Sequence, residues 1–141
     1  MSEFFMPYEG SKPYLFVSYS HKDSSKVLDT IRFLDEKNYR VWYDEGIPAG
    51  TDWPRNIAFH MSACGMVLFF LSRNSLNSPN CFNEIKAGCE QGKRILLLRL
   101  DNAVPDEAWT DILEQAVEIP GADSAQKRAG HILGSPALTR D

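Results

Sequence analysis

The sequence lacks the features that several classes of protein require. Its three cysteines, Cys64, Cys81 and Cys89, form no CxxC pair, so we expect neither a disulfide framework nor a zinc knuckle. The opening residues lack the basic and apolar segments of a secretory signal, and the longest apolar runs, MVLFFL and ILLL, are too short to span a bilayer. The formal net charge is −4, and no basic run is long enough for a nucleic-acid-binding arm. We expect a cytoplasmic chain that binds neither nucleic acid nor a membrane.

Several familiar site motifs are also missing. No GxGxxG follows the first apolar run, no GxxxxGK[ST] occurs, and no GxSxG is present. The three histidines have no spacing that suggests a metal site. A phospho-receiver domain needs acidic residues after its first and third strands, where this chain has Ser18-Tyr19-Ser20 and Leu71-Ser72. The sequence therefore does not favour these kinds of nucleotide binding, metal binding or phosphotransfer.

What the chain does have is the composition of one globular domain. It contains 141 residues, of which 43% are hydrophobic and 24% are charged, enough to bury a core without disulfides or metals. We expect an irregular lead-in at residues 1–13, a domain at 14–134, and a tail or the start of a linker at 135–141.

Apolar runs alternate with helical patterns along this domain. Strands are predicted at 14–18, 40–43, 66–71 and 95–100, with a weaker one at 116–119. Helices are predicted from about Ser24, at 53–63, from Pro79 to Gln91, and near 106–114 and 124–133, whereas 72–80 reads as a polar loop. Strands that alternate with helices and are apolar throughout indicate a doubly wound parallel sheet.

Polar loops follow the first three predicted strands. They read SYSHKD, DEGIPAGTDW and SRNSLNSPNC. In a doubly wound sheet such loops emerge at the carboxyl edge, where ligands bind in the crevice at which the strand order reverses. We expect the functional site at this edge.

The motifs in these loops resemble those of the TIR (Toll/interleukin-1 receptor) domain family, particularly its bacterial members. The matching segments are FVSYSHKD, VWYDEGIPAGTDWPRNI and LSRNSLNSPNCFNEI, and the last carries Cys81 and Glu84 in the family's C-x-x-E arrangement. The resemblance is good from Tyr14 to Leu100 and thin afterwards. It implies a flavodoxin-like α/β fold with about five parallel strands.

The resemblance implies two different functions. One branch of the family cleaves NAD+ as a substrate at the nicotinamide–ribose bond, giving nicotinamide and ADP-ribose or a cyclic isomer, and its catalytic glutamate corresponds to Glu84. We take this as the leading hypothesis, in bacterial anti-phage signalling, with no bound cofactor. The other branch consists of non-catalytic modules that signal by TIR–TIR assembly. A virulence factor that mimics host TIR adaptors is a third possibility.

Other residues are implied as substrate contacts. Tyr19, Ser20 and His21 correspond to positions that line the pocket in the family, although hydrogen bonding within the loop explains them equally well. Asp44 begins the segment similar to the family's BB loop and contacts ribose or caps a turn. Trp53 offers a flat surface for a base or packs at a helix start. The segment from Asp44 to Trp53 is also the expected surface for self-association.

Two residues near Glu84 modify this picture. Asn80 stands four positions before Glu84, where many NAD-cleaving relatives have an aromatic residue that stacks on the ligand. Cys81 is more typical of a packed residue than of a nucleophile, because no histidine is placed by the sequence to activate it. For Glu84 itself, the alternative is a carboxylate that complements the dipole at a helix N-terminus.

Overall fold

The computed structural model describes residues 14–43 and 53–135, with side chains from residue 58 onward in the second range. The predicted lead-in at 1–13 and most of the predicted tail therefore lie outside the described residues. Within residues 14–43 and 53–135, no helix combines the length and the hydrophobicity that a membrane span requires.

Five parallel strands form the central sheet. They are β1 (Leu15–Ser18), β2 (Val41–Tyr43), β3 (Met66–Leu71), β4 (Ile95–Arg99) and β5 (Val117–Ile119). Their order is β2-β1-β3-β4-β5, and every neighbouring pair is parallel. The predicted doubly wound α/β sheet is confirmed, and this order is the flavodoxin-like one.

Helices connect the strands. They are α1 (Ser24–Glu36), α2 (Trp53–Ala63), α3 (Arg73–Leu76), α4 (Pro79–Glu90), α5 (Glu107–Ile112) and α6 (Ala125–Leu133), and a short 3₁₀ helix spans His21–Asp23. Within the described residues, five of the six α-helices lie where the sequence predicts them, and α4, α5 and α6 each begin at a residue whose side chain accepts a backbone hydrogen bond. The Ser78 side chain, for example, accepts a hydrogen bond from the Cys81 N–H and begins α4.

Helix α3 corrects the prediction that residues 72–80 form only a polar loop. The Ser72 hydroxyl accepts a hydrogen bond from the Ser75 N–H at 3.0 Å, and the Ser75 hydroxyl accepts one from the Ser72 N–H at 2.8 Å. This reciprocal capping satisfies two backbone donors and stabilises one helical turn. The turn has no apolar periodicity of its own, which is why the sequence pattern missed it.

The core lies on both faces of the sheet. Helices α1 and α6 cover one face with Val27, Ile31, Leu34, Ala129 and Ile132. Helices α2, α4 and α5 cover the other face with residues that include Met61, Ile85 and Trp109. Strand β1 alternates between the faces: Leu15 and Val17 belong to the first cluster and Phe16 to the second. Ser18 follows in this alternation on the face that α4 covers.

Candidate active site

A cleft lies at the carboxyl edge of the sheet, beside the junction of β1 and β3. Strand β1 pairs with both β2 and β3, with Ser18 opposite Phe69. After β1 the chain continues to β2 at one edge of the sheet, whereas after β3 it continues to β4 towards the other edge. The strand order therefore reverses between β1 and β3. A sheet of this order binds ligands in the crevice at this point.

Glu84 lies on the buried face of α4, next to the end of β1. It is the sixth residue of the helix and shares that face with Cys81, Ile85 and Gly88. Only 6% of Glu84 is exposed. The Ser18 hydroxyl donates a hydrogen bond to Oε1 of Glu84, with 2.7 Å between the oxygens. Because the helix dipole acts mainly within the first turn, this hydrogen bond is the more direct stabiliser of the carboxylate.

The cleft brings Glu84 together with five other residues that the sequence predicts for the site. Its lining residues are Val17, Tyr19, Ser20, His21, Ser78, Asn80, Cys81 and Glu84. Among these described lining residues, Glu84 supplies the one carboxylate. The cavity volume is about 40 Å³, which is room for a group the size of one or two water molecules. The described residues thus form the bottom of a site rather than a full dinucleotide pocket.

Cys81 is placed against Glu84 as a packed residue. Its side chain is 2% exposed. Burial and then the neighbouring Glu84 charge raise the pKa of the Cys81 thiol from 9.0 to about 12, against the opposing effect of hydrogen bonds with Ser78 and Ser18. A neutral buried thiol is a poor nucleophile, so the arrangement favours the packing interpretation of Cys81.

The segment after β1 forms one wall of the cleft. The Tyr19 and His21 rings pack with their centroids 5.2 Å apart. The Ser20 side chain accepts a hydrogen bond from the Lys22 N–H at 3.2 Å and caps the 3₁₀ helix. Ser20 therefore makes the local hydrogen bond that the alternative interpretation predicts, and it lines the cleft as well.

Asp23 joins this wall to the segment after β3. Its Oδ2 accepts a hydrogen bond from the Ser72 hydroxyl at 2.5 Å, and its Oδ1 accepts one from Nδ2 of Asn74 at 2.8 Å. We call these three side chains the Asp23 clamp. The clamp fixes the first and third predicted loops to each other, which supports the expectation that they share one edge.

The remaining predicted residues lie outside the described side chains. Asp44 and the loop that it begins fall between the described ranges. Trp53 is the first residue of α2, and its side chain is not among those described. Within the described ranges, no group of three or more His, Cys, Asp or Glu side chains is arranged to hold a metal ion.

A family model for the TIR domain matches residues 15–129 of the sequence. The chain belongs to the TIR domain family. The match extends well beyond the three loop motifs and includes β4, β5 and α5 as well as the first five residues of α6.

Solved structures share the fold of this TIR domain at low identity. The CMP N-glycosidase of Clostridium botulinum superimposes with a TM-score of 0.63 at 16% identity, over 84% of this chain and 97% of that one. The TIR domain of a Toll-related receptor from Hydra magnipapillata gives 0.61 at 12% identity, over 74% and 82%. The TIR domains of the activated Roq1 resistosome, which recognises the pathogen effector XopQ, give 0.53 at 17% identity, over 64% and 60%. No curated protein sequence matches the chain.

Two features of this TIR domain were missed by reasoning from the sequence. The sequence pattern marks Ser18 only as a strand end, although it contacts Glu84 across 66 positions of sequence. The Asp23 clamp was not foreseen, although Asp23 ends the first motif and Ser72 follows β3. The available signal was a polar side chain at or after the end of a buried strand, namely Ser18 at the end of β1 and Ser72 directly after β3, but the partner of each depends on how the neighbouring segments pack at the sheet edge.

Proposed function

We propose that this TIR domain cleaves the nicotinamide–ribose bond of NAD+, with the Glu84 carboxylate stabilising the ribosyl cation. The observation that carries the proposal is the buried Glu84 carboxylate at the bottom of a cleft on the carboxyl edge of the sheet. The products are nicotinamide and ADP-ribose or a cyclic isomer.

One carboxylate suffices for this bond. Ordinary glycoside hydrolysis uses two carboxyl groups, because an alkoxide leaving group has to be protonated. Nicotinamide in NAD+ already carries a positive charge and leaves as a neutral molecule, so it needs no acid. The sugar left behind has oxocarbenium character, and a fixed anion stabilises it. Water then adds to C1 of the ribose and loses a proton, which gives ADP-ribose, or a nucleophilic group of the same molecule adds there instead, which gives the cyclic isomer.

The burial of Glu84 strengthens this electrostatic effect. A charge that is 6% exposed acts in surroundings of lower effective dielectric than water, where its interaction with a nearby cation is several times stronger. Ser78 and Asn80 lie at the start of the same helix and also line the cleft, where polar groups can bind ribose hydroxyls.

A nucleoside monophosphate is a second candidate substrate. The likeness to a CMP N-glycosidase covers nearly all of that chain, and its substrate also contains an N-glycosidic bond. Cytosine is uncharged in CMP, however, and leaves more readily when an acid protonates it. A cleft with a single described carboxylate therefore suits the charged leaving group of NAD+ better.

We further propose that self-association in the cytoplasm activates the domain. The likeness to the TIR domains of an activated resistosome supports assembly as a property of this fold. The proposed contact surface is the BB loop from Asp44 to Trp53, which lies mostly outside the described residues. A bacterial anti-phage pathway is the proposed setting, and a non-catalytic assembly module is the competing function.

Incubation of the concentrated chain with NAD+ or CMP tests these proposals. Each reaction is run with and without a crowding agent that promotes assembly, and released nicotinamide or cytosine is followed by chromatography. We expect nicotinamide release that requires assembly and is lost in Glu84→Gln.

Glu90→Gln is the matched control, because Glu90 is exposed at the end of the same helix. If NAD+ stays intact under every condition and the chain clearly forms oligomers, the result would favour the non-catalytic assembly module. Cytosine release in place of nicotinamide would reassign the substrate.

A further inference from the structure

We propose that Ser18 is a positioning residue for the Glu84 carboxylate, an inference that rests on the proposed function of this site. Its hydroxyl donates a hydrogen bond to Oε1 of Glu84 at 2.7 Å. Ser18 is not among the residues that line the cleft, so it acts on the reaction through Glu84 and not by contact with substrate.

Ser18 occupies a place where the core otherwise favours apolar side chains. The residues before it in β1 are Leu15, Phe16 and Val17, and its partner in β3 is Phe69. Ser18 is itself 0% exposed. A buried hydroxyl destabilises a fold unless it forms a hydrogen bond, so packing alone would favour an apolar residue at this position.

The partner of this hydroxyl is a second polar group among apolar neighbours. Glu84 lies in α4 between Cys81 and Ile85, both of which belong to the core cluster on that side of the sheet. Apolar residues of similar shape in place of such a buried pair are often neutral or stabilising. The Ser18–Glu84 pair therefore contributes less to core packing than apolar residues would, but it is well arranged to hold a negative charge.

The hydrogen bond constrains the carboxylate in two ways. It fixes the rotation of the carboxyl group, because one oxygen is held at the end of a central β-strand. It also stabilises the negative charge, since hydrogen bonds to ionised acceptors are the stronger kind. A carboxylate that is oriented before substrate binds has less to reorganise as the ribosyl cation forms.

Ser18→Ala and Ser18→Thr test this role in the full chain under the assembly condition that gives nicotinamide release. We expect Ser18→Ala to lower kcat for NAD+ by about 100-fold, as misplacement of a catalytic group does, with KM changed less than about threefold. Ser18→Thr keeps the hydroxyl and should recover most of kcat. An effect on packing alone would follow the volume of the side chain, and a lower melting temperature would accompany the loss of kcat.

Thr30→Ala is the control for loss of a buried hydroxyl. Thr30 is also 0% exposed, but it lies in α1 on the opposite face of the sheet, where its hydroxyl accepts a hydrogen bond from Nε of Arg128 at 2.9 Å. We expect this variant to melt at a lower temperature with kcat unchanged. Melting curves of all the variants show whether a loss of kcat follows a loss of folding.

The outcomes separate the inference from the function on which it rests. Wild-type protein that never releases nicotinamide overturns both. Active wild-type protein with an equally active Ser18→Ala variant overturns the positioning role and leaves the proposed function standing. A raised KM with unchanged kcat in Ser18→Ala would also overturn the positioning role. Ser18 contacts Glu84 and does not line the cleft, so its loss should change kcat and not substrate affinity. A low kcat in Ser18→Ala that Ser18→Thr does not recover would assign Ser18 to packing.

Discussion

The Asp23 carboxylate and the Ser72 hydroxyl lie 2.5 Å apart and connect the segment after β1 to the segment after β3. These segments come from the two central strands of the sheet and flank the point where the strand order reverses. The wall of the cleft that contains Tyr19, Ser20 and His21 is thus fixed to the segment with helix α3, which precedes α4. The shape of the cleft depends on this connection as well as on the residues that line it.

Loss of the Asp23 clamp should destabilise the domain. In Asp23→Ala the Ser72 hydroxyl and the Asn74 amide lose a charged acceptor, so we expect the free energy of unfolding to fall by about 1.5–3 kcal/mol, the usual contribution of a hydrogen bond to a charged group. Urea unfolding measures this change. Asp111→Ala, in an exposed position of α5, should change the same free energy by less than about 0.5 kcal/mol. Equal effects of the two variants would contradict the clamp.

The buried thiols predict a loss of stability at high pH. Burial is the main cause that raises the pKa of Cys64 to about 11 and that of Cys81 to about 12, both from 9.0. Above pH 9 the unfolded thiols lose their protons while the folded ones keep them. The free energy of unfolding therefore falls by up to about 1.4 kcal/mol per pH unit for each thiol, between pH 9 and about 11 for Cys64 and between pH 9 and about 12 for Cys81. Below pH 9 the contribution is fully present.

Urea unfolding of two cysteine variants between pH 8 and 11 measures this dependence. Cys81→Ala should show a shallower decline than wild type, because one of the two thiols is removed. Cys89→Ala is the control, since Cys89 is exposed and its substitution should leave the slope unchanged. If the free energy of unfolding falls equally steeply with pH in wild type and in Cys81→Ala, the pKa of the Cys81 thiol is not raised in the folded protein.

An aromatic residue introduced at position 80 should improve substrate binding if the proposed function is correct. Asn80 is exposed, lies one turn before Glu84, and lines the cleft. In Asn80→Trp the indole can stack on the ligand, an interaction of about 0.5–1.5 kcal/mol. We expect KM for NAD+ to fall by roughly 2- to 10-fold.

Asn83→Trp is the matched control for this substitution, because Asn83 is exposed on the same helix and is not among the lining residues of the cleft. Its KM should equal that of wild type. A similar fall in KM in both variants would point to a general effect of tryptophan on the surface, and no change in Asn80→Trp would contradict its place beside the substrate.

The fold could be predicted from the sequence because β3 and β4 are long apolar runs and several helices begin at a capping side chain. MVLFFL became β3 over the predicted residues, and Ser78 and Pro79 began α4 as expected. Helix α3 could not be predicted in this way, since reciprocal hydrogen bonds between Ser72 and Ser75 stabilise it and no apolar pattern marks it.

The candidate site was predictable in part. Topology places the first and third loops at one edge, and the family motif singles out Glu84 there. The hydrogen bond between Ser18 and Glu84 depends on the rotation of α4 over the sheet, which no local pattern encodes. The same holds for Asp23 and Ser72, which are 49 positions apart. Long-range polar contacts of this kind become visible only when the elements are packed.

The rate of nicotinamide release by Glu84→Gln, compared with wild type under the same assembly condition, tests the central claim most directly. Glutamine keeps the size of the side chain and can still accept the hydrogen bond from Ser18, but it removes the negative charge. If Glu84 stabilises the ribosyl cation, kcat should fall by at least about 100-fold, the usual effect of removing one such electrostatic interaction. Release within about threefold of wild type, from a variant with an unchanged melting temperature, would contradict the assignment of Glu84 as the catalytic carboxylate.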